Sequence, residues 1–230
     1  MRTLVLFDID GTILSSTGAG RAALERALVA TFGTPGDPAY LYDGKTDRQI
    51  VRESMRATGF SNAEIDEKMS LVLERYLEGL REELVSPRRH VRMFEGIETL
   101  IDAVEKRDDL VLGLLTGNIE PGARLKLGAV GLDFDRFRVN AFGSDHEVRG
   151  ELPAVAHRRM RDAYGVSLDG RDVVVIGDTP ADIHCGRALG ARAIAVATGR
   201  YSVDELREHE PFAAFETLGD TRAVLEVIDA

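Results

Sequence analysis

Asp8 and Asp10 stand two residues apart in the run Asp8-Ile9-Asp10-Gly11-Thr12. Asp178 and Asp182 stand four apart in Gly177-Asp178-Thr179-Pro180-Ala181-Asp182. A third run, Thr116-Gly117-Asn118, offers a hydroxyl, an amide side chain and closely spaced backbone N–H groups. Carboxylates act as nucleophiles, as proton carriers or as hard oxygen ligands. Four of them gathered in one place repel strongly unless protons or a cation neutralise them. An all-oxygen donor set with room for water suits Mg²⁺.

Each run follows an apolar stretch that reads as a buried strand: residues 3–7, 110–115 and 173–176. Between and after them the pattern alternates. Helices are expected over residues 97–106, 120–130, 152–164, 181–189 and 219–228, and further strands over 138–142 and 193–197. Alternating strands and helices predict an α/β fold, a doubly wound parallel sheet of Rossmann-like type. In such a sheet ligands bind at the carboxyl edge, so the three polar runs converge there. Residues 15–85 break the alternation. Helical periodicity over 19–32, about 47–58 and 61–85, with a Gly/Pro-rich loop at 33–45, predicts an all-helical insertion after the first strand. The expected division is an α/β core of residues 1–14 and 90–230 and a helical unit of residues 15–89.

These runs, in this order and on these strands, resemble the motifs of the haloacid dehalogenase superfamily in its phosphatase branch. The helical insertion resembles the helical cap of phosphoglycolate-phosphatase-like members, and the likeness covers nearly the whole chain. The resemblance implies a Mg²⁺-dependent phosphatase acting on a small phosphorylated metabolite. Asp8 would be the nucleophile that forms an acyl phosphate. Asp10 would protonate the departing alkoxide and then activate water. Asp8, the backbone carbonyl of Asp10, and Asp178 would hold the metal, with Asp182 supporting it directly or through water. Thr116 and the amides of Gly117 and Asn118 would hold phosphate oxygens, with Thr12 also on the substrate side. Asp10 argues against dehalogenation, because a halide leaves without a proton and an alkoxide does not.

The family also expects a basic residue ahead of a helix that opens with proline, commonly as Lys-Pro-x-Pro. Here the stretch is Val148-Arg149-Gly150-Glu151-Leu152-Pro153, so the first proline is missing and Arg149 lies four residues before the second. With only four lysines in the chain, Arg149 is the candidate, ahead of Arg158 and Arg159. In the insertion, Lys45 follows the Gly/Pro-rich loop and opens a helix. It either meets an acidic part of the substrate or is a solvated surface lysine. The two crossings between helical unit and core, residues 15–20 and 86–90, are hinge candidates, with Arg88, Arg89 and His90 expected at a solvated surface.

The formal charge of −10 excludes a basic nucleic-acid footprint and disfavours anionic membrane surfaces. It also requires a local positive centre wherever a phosphate is to sit, which the cation supplies. A single cysteine, Cys185, excludes an intrachain disulfide, and no apolar stretch reaches membrane-spanning length. A cytoplasmic enzyme, monomeric or homodimeric, is expected. Cys185 reads as a packing residue and His184 as an ordinary helix residue. Two alternatives stay open: a sugar-phosphate mutase sharing the phosphoaspartate, and a non-catalytic phosphate-ligand binder.

Overall fold

The computed structural model describes residues 2–230. β1 (Thr3–Phe7) leads through a tight loop to β2 (Leu14–Ser15). Three helices follow: α1 (Ala19–Phe32), α2 (Asp47–Ala57) and α3 (Asn62–Leu84). β3 (Arg92–Met93) returns the chain, and α4 (Ile97–Glu105), β4 (Leu110–Thr116), α5 (Glu120–Ala129), β5 (Val139–Phe142), α6 (Leu152–Tyr164), β6 (Val173–Gly177), α7 (Pro180–Cys185), β7 (Arg192–Val196), α8 (Val203–Arg207), β8 (Ala213–Phe215) and α9 (Thr221–Ile228) complete it.

Six strands form one parallel sheet in the order β5-β4-β1-β6-β7-β8. β1 lies inside the sheet because Leu4 to Phe7 are apolar and buried on both faces, their side chains alternating as a pleated strand requires. Val5 and Phe7 pack with α4, α5 and α9 through Leu100, Leu127 and Val224. Leu4 and Leu6 pack on the opposite face with Leu152, Ala156 and Met160 of α6. The register fixes where the strands end. Phe7 lies opposite Leu114 of β4 and Ile176 of β6, so Asp8, Thr116 and Asp178 emerge side by side at the carboxyl edge. Chain order reverses direction across β4-β1-β6, which is where such sheets open a crevice.

α1–α3 bury their apolar stripes in a cluster of their own, built on Leu24, Leu28, Val51, Met55, Ile65, Val72, Tyr76 and Leu80. Ile119, at the entry to α5, also belongs to it. Ser61 caps α3 through a reciprocal bond with Glu64, worth about 1 kcal/mol. The two crossings between layers pair with each other as β2 and β3, antiparallel, Leu14 opposite Met93.

Four local expectations are corrected. The helix expected over 181–189 stops at Cys185 and resumes as a 3₁₀ turn at Arg187–Leu189. Gly186 turns the chain there, its carbonyl accepting from Leu189 and Ala191. α8 and β8 were not expected from the pattern. α8 is one and a half turns held by a Ser202–Glu205 capping box, and β8 is three residues at the sheet edge, both too short to show periodicity. β2 and β3, two residues each, escape notice for the same reason. Arg89 is no free surface residue: it pairs with Glu83 at 2.6 Å and donates to the Thr17 carbonyl at 2.8 Å, tying the two crossings together.

Candidate active site

The loop after β1 is shaped by Gly11. Its φ of 85° lies in the left-handed region, where a side chain is strained. A Cβ there would also collide with the Asp178 carboxylate, and so would one at Gly199. Two glycines, distant in sequence, thus make room for Asp178. The Gly11 N–H donates to the Leu14 carbonyl at 2.9 Å, and Thr198 donates to the Gly11 carbonyl at 2.5 Å, which closes the turn.

Asp8 is 6% exposed and Asp178 4%. One oxygen each from Asp8, Asp178 and Asp182 lies within 4.8 Å of the others. Burial pushes the Asp8 carboxyl up to about 6, with Arg149 opposing the rise and Asp182 and Asp10 adding to it. Burial, then the neighbouring Asp182 and Asp8 charges, raises Asp178 well above the usual carboxylate range. Thr12 donates to Asp178 Oδ1 at 3.2 Å. The buried acids outnumber the one cation among them, and their donors are all oxygen. A hard divalent cation fits this set on both counts.

Arg149 is that one cation. It is buried at 6% exposure, with Nη2 3.2 Å from Asp8 Oδ1 and in direct contact with Asp182 Oδ1. The 3₁₀ turn Arg149–Glu151 ahead of α6 aims it inward, so the missing proline has not misdirected it. Arg159 instead lies at the surface, paired with Asp145 at 2.6 Å. Both oxygens of Asp182 are occupied, because Oδ2 takes the Thr179 N–H and hydroxyl in the capping box of α7.

Asp10 faces the cleft, its side chain 40% exposed. Asn118 Nδ2 donates to Asp10 Oδ2 at 2.8 Å and to Thr116 Oγ1 at 2.8 Å. Thr116 is fully buried at the end of β4. Gly117 lies directly beneath the Lys45 carbonyl, too close for any side chain. Lys45 lines the cleft, yet its ammonium is engaged by Glu53 at 2.6 Å and the Tyr40 hydroxyl at 2.8 Å.

The cleft encloses about 510 Å³ between sheet edge and helical layer. Residues 44–47 close one side of it. The Asp47 N–H donates to the Gly117 carbonyl at 2.8 Å, Asp47 Oδ2 accepts from Ile119 N–H at 2.8 Å, and Thr46 donates to the Glu147 carbonyl at 2.6 Å.

In the sequence pattern Asp47 is only a helix start, and Lys126 carries no motif. Lys126 Nζ lies 2.6 Å from Asp10 Oδ2 and 2.6 Å from Asn118 Oδ1, and the residue is 4% exposed. One signal was available. Lys126 falls three residues after Ala123 and next to Leu127, on the inward stripe of α5, where an unpaired lysine is costly. Cys185 is buried against the sheet, and burial pushes its thiol up to about 12, as suits a packing residue.

The family model for haloacid dehalogenase-like hydrolases matches residues 5–187. A 5'-nucleotidase of Pseudomonas aeruginosa is 26% identical over 223 residues, covering 96% of this chain and 95% of that protein. A phosphoglycolate phosphatase of Rhodospirillum rubrum is 26% identical over 224 residues, covering 96% and 90%. Among solved structures, a hydrolase from Pseudomonas syringae superposes with a TM-score of 0.74 at 20% identity, covering 98% of each chain, which shows the shared fold. The chain belongs to the haloacid dehalogenase-like hydrolase family, as a phosphoric monoester hydrolase of its phosphoglycolate-phosphatase-like branch.

Proposed function

We propose that this chain is a Mg²⁺-dependent phosphatase that hydrolyses a phosphomonoester of a small metabolite through a phosphoaspartate on Asp8. The observation that carries the reading is the position of Asp8: buried, beside Asp178 and Arg149, on the same loop as a cleft-facing Asp10.

Asp8 and Asp178, with the Asp10 carbonyl, would hold the metal, and Asp182, whose carboxylate contacts Arg149, would support the set. Bound there, Mg²⁺ would supply positive potential to the phosphoryl oxygens. An Asp8 oxygen attacks phosphorus, the phosphorus–oxygen ester bond breaks, and Asp10 gives its proton to the leaving alkoxide. Water then attacks phosphorus and returns a proton to Asp10, and the acyl-phosphate bond breaks to regenerate Asp8. Arg149 steadies Asp8 and spreads phosphoryl charge, while Thr116 and the N–H groups of residues 117 and 118 position the oxygens. Residues 15–89 act as a cap over the sheet edge formed by residues 1–14 and 90–230. The cap limits substrates to compact molecules.

The test is a hydrolysis screen over metabolite phosphates with Mg²⁺ and with EDTA, for the wild-type chain and Asp8→Asn. Metal-dependent release of phosphate by the wild type alone supports the reading. Isomerisation of a sugar phosphate without free phosphate would transfer it to a mutase. Tight binding with no turnover of any ester would leave a binding protein.

A further inference from the structure

We propose that Lys126 is a positioning residue for the proton-transferring carboxylate of Asp10, and that it acts by fixing which oxygen faces the leaving group. The inference rests on the role assigned above to Asp10.

Lys126, Asp10 and Asn118 form a closed triangle. The ammonium donates to Asp10 Oδ2 and to Asn118 Oδ1, each at 2.6 Å, and Asn118 Nδ2 donates to the same Asp10 Oδ2 at 2.8 Å. Two donors therefore converge on Oδ2, and no donor among the described residues reaches Oδ1. The two oxygens are made unequal: Oδ2 is clamped and Oδ1 is left to carry the proton into the cleft. A carboxylate without this clamp rotates about its last torsion, and misplacement by about 1 Å costs about 10²-fold in rate.

Position 126 serves the packing of α5 poorly. It lies on the helix face that buries Ala123 and Leu127, where an apolar side chain would be stable without a partner. A buried ion pair adds little stability over apolar packing of similar volume. What it adds here is direction at a carboxylate facing the cleft. The helical layer leaves space for it. A Cβ at Gly20 of α1 would stand 3.2 Å from Lys126 Nζ and 3.8 Å from the Tyr76 hydroxyl, so glycine there lets α1 settle closely over the ammonium. Asp47 of α2 also feels this charge, which offsets part of its burial. Asp10 is thus held between a residue of the sheet layer and a ceiling of helices, aligned when the two layers meet.

The experiment compares kcat/KM in Mg²⁺ for an alkyl phosphate, whose leaving group needs a proton, with p-nitrophenyl phosphate, whose leaving group does not. For Lys126→Met the alkyl ester is expected to lose about 10²-fold and the nitrophenyl ester less than about threefold. Asp10→Asn should show the same selectivity, and adding Lys126→Met to it should cost little more. Should Lys126→Met fail to fold, Lys126→Gln carries the test with the same sign and a smaller ratio. Equal losses on both esters would make Lys126 a structural or phosphate-binding residue, and no loss would make it inert; either overturns the inference. A wild-type chain inert toward both esters removes the functional reading and this inference with it, whereas an active wild type with an undiscriminating variant removes the inference alone.

Discussion

Arg149 and Asp8 meet at 3.2 Å in a site nearly closed to water, and the same guanidinium also contacts Asp182. One cation thus joins the candidate nucleophile to the acid that caps α7. Removing it leaves two buried carboxylates facing each other, at a cost of about 3–5 kcal/mol. Arg149→Ala should therefore show a large loss of stability in urea denaturation. Arg149→Lys keeps the charge but not the fork that reaches both acids. It should fold, and lose about 10–100-fold in kcat/KM on any good substrate.

Metal binding should be proton-linked. Asp8 is pushed up to about 6 by burial, against the pull of Arg149, and Asp178 is also raised, by burial and its acidic neighbours. Ligands must be ionised to bind a cation, so binding displaces protons. Affinity for Mg²⁺ should fall as pH drops through about 6. Calorimetry in two buffers of different ionisation enthalpy should show proton release from Asp8 on binding near pH 6, and less near pH 8, where Asp8 is already ionised.

Asp47 predicts a second pH effect, on stability. Burial lifts it from 3.8 to about 6, against the Lys126 charge and the Ile119 N–H bond. The folded chain holds this proton more tightly than the unfolded chain. The contribution is therefore fullest below pH 3.8 and is lost as pH rises to about 6. Asp47→Asn removes the loss. Relative to wild type, the variant should gain about 2 kcal/mol between pH 4 and pH 7 in denaturant titrations.

Lys45 is expected to act in binding and not in chemistry. Its ammonium stands at the cleft wall, with Glu53 and Tyr40 holding it. Lys45→Ala should raise KM for a substrate with an acidic tail by about tenfold and leave kcat nearly unchanged. A neutral substrate should be indifferent to the change.

The fold was legible because apolar periodicity and the caps point to the same elements. β1, α1 and α6 fall where the pattern places them, since continuous apolar runs and flanking glycines leave few alternatives. β8 and β2 were illegible, being too short to carry a period and held by pairing with distant partners. The site follows the same division. Asp8, Thr116 and Asp178 are readable because each ends a strand. Lys126 shows only as a lysine on the apolar stripe of α5, and Gly199 not at all, because their roles lie in a pairing 116 residues away with Asp10 and in a close approach to Asp178. No local pattern records a long-range pairing.

Everything proposed for this site turns on covalent attachment of the phosphoryl group to Asp8. Rapid quench in acid after mixing with substrate and Mg²⁺, followed by mass spectrometry of the peptide that carries Asp8, reads it directly. A transient mass gain of one phosphoryl group on Asp8 is expected, lost in hydroxylamine and absent from Asp8→Asn. Steady turnover of substrate by Asp8→Asn, with no such adduct on the wild-type chain, would contradict it.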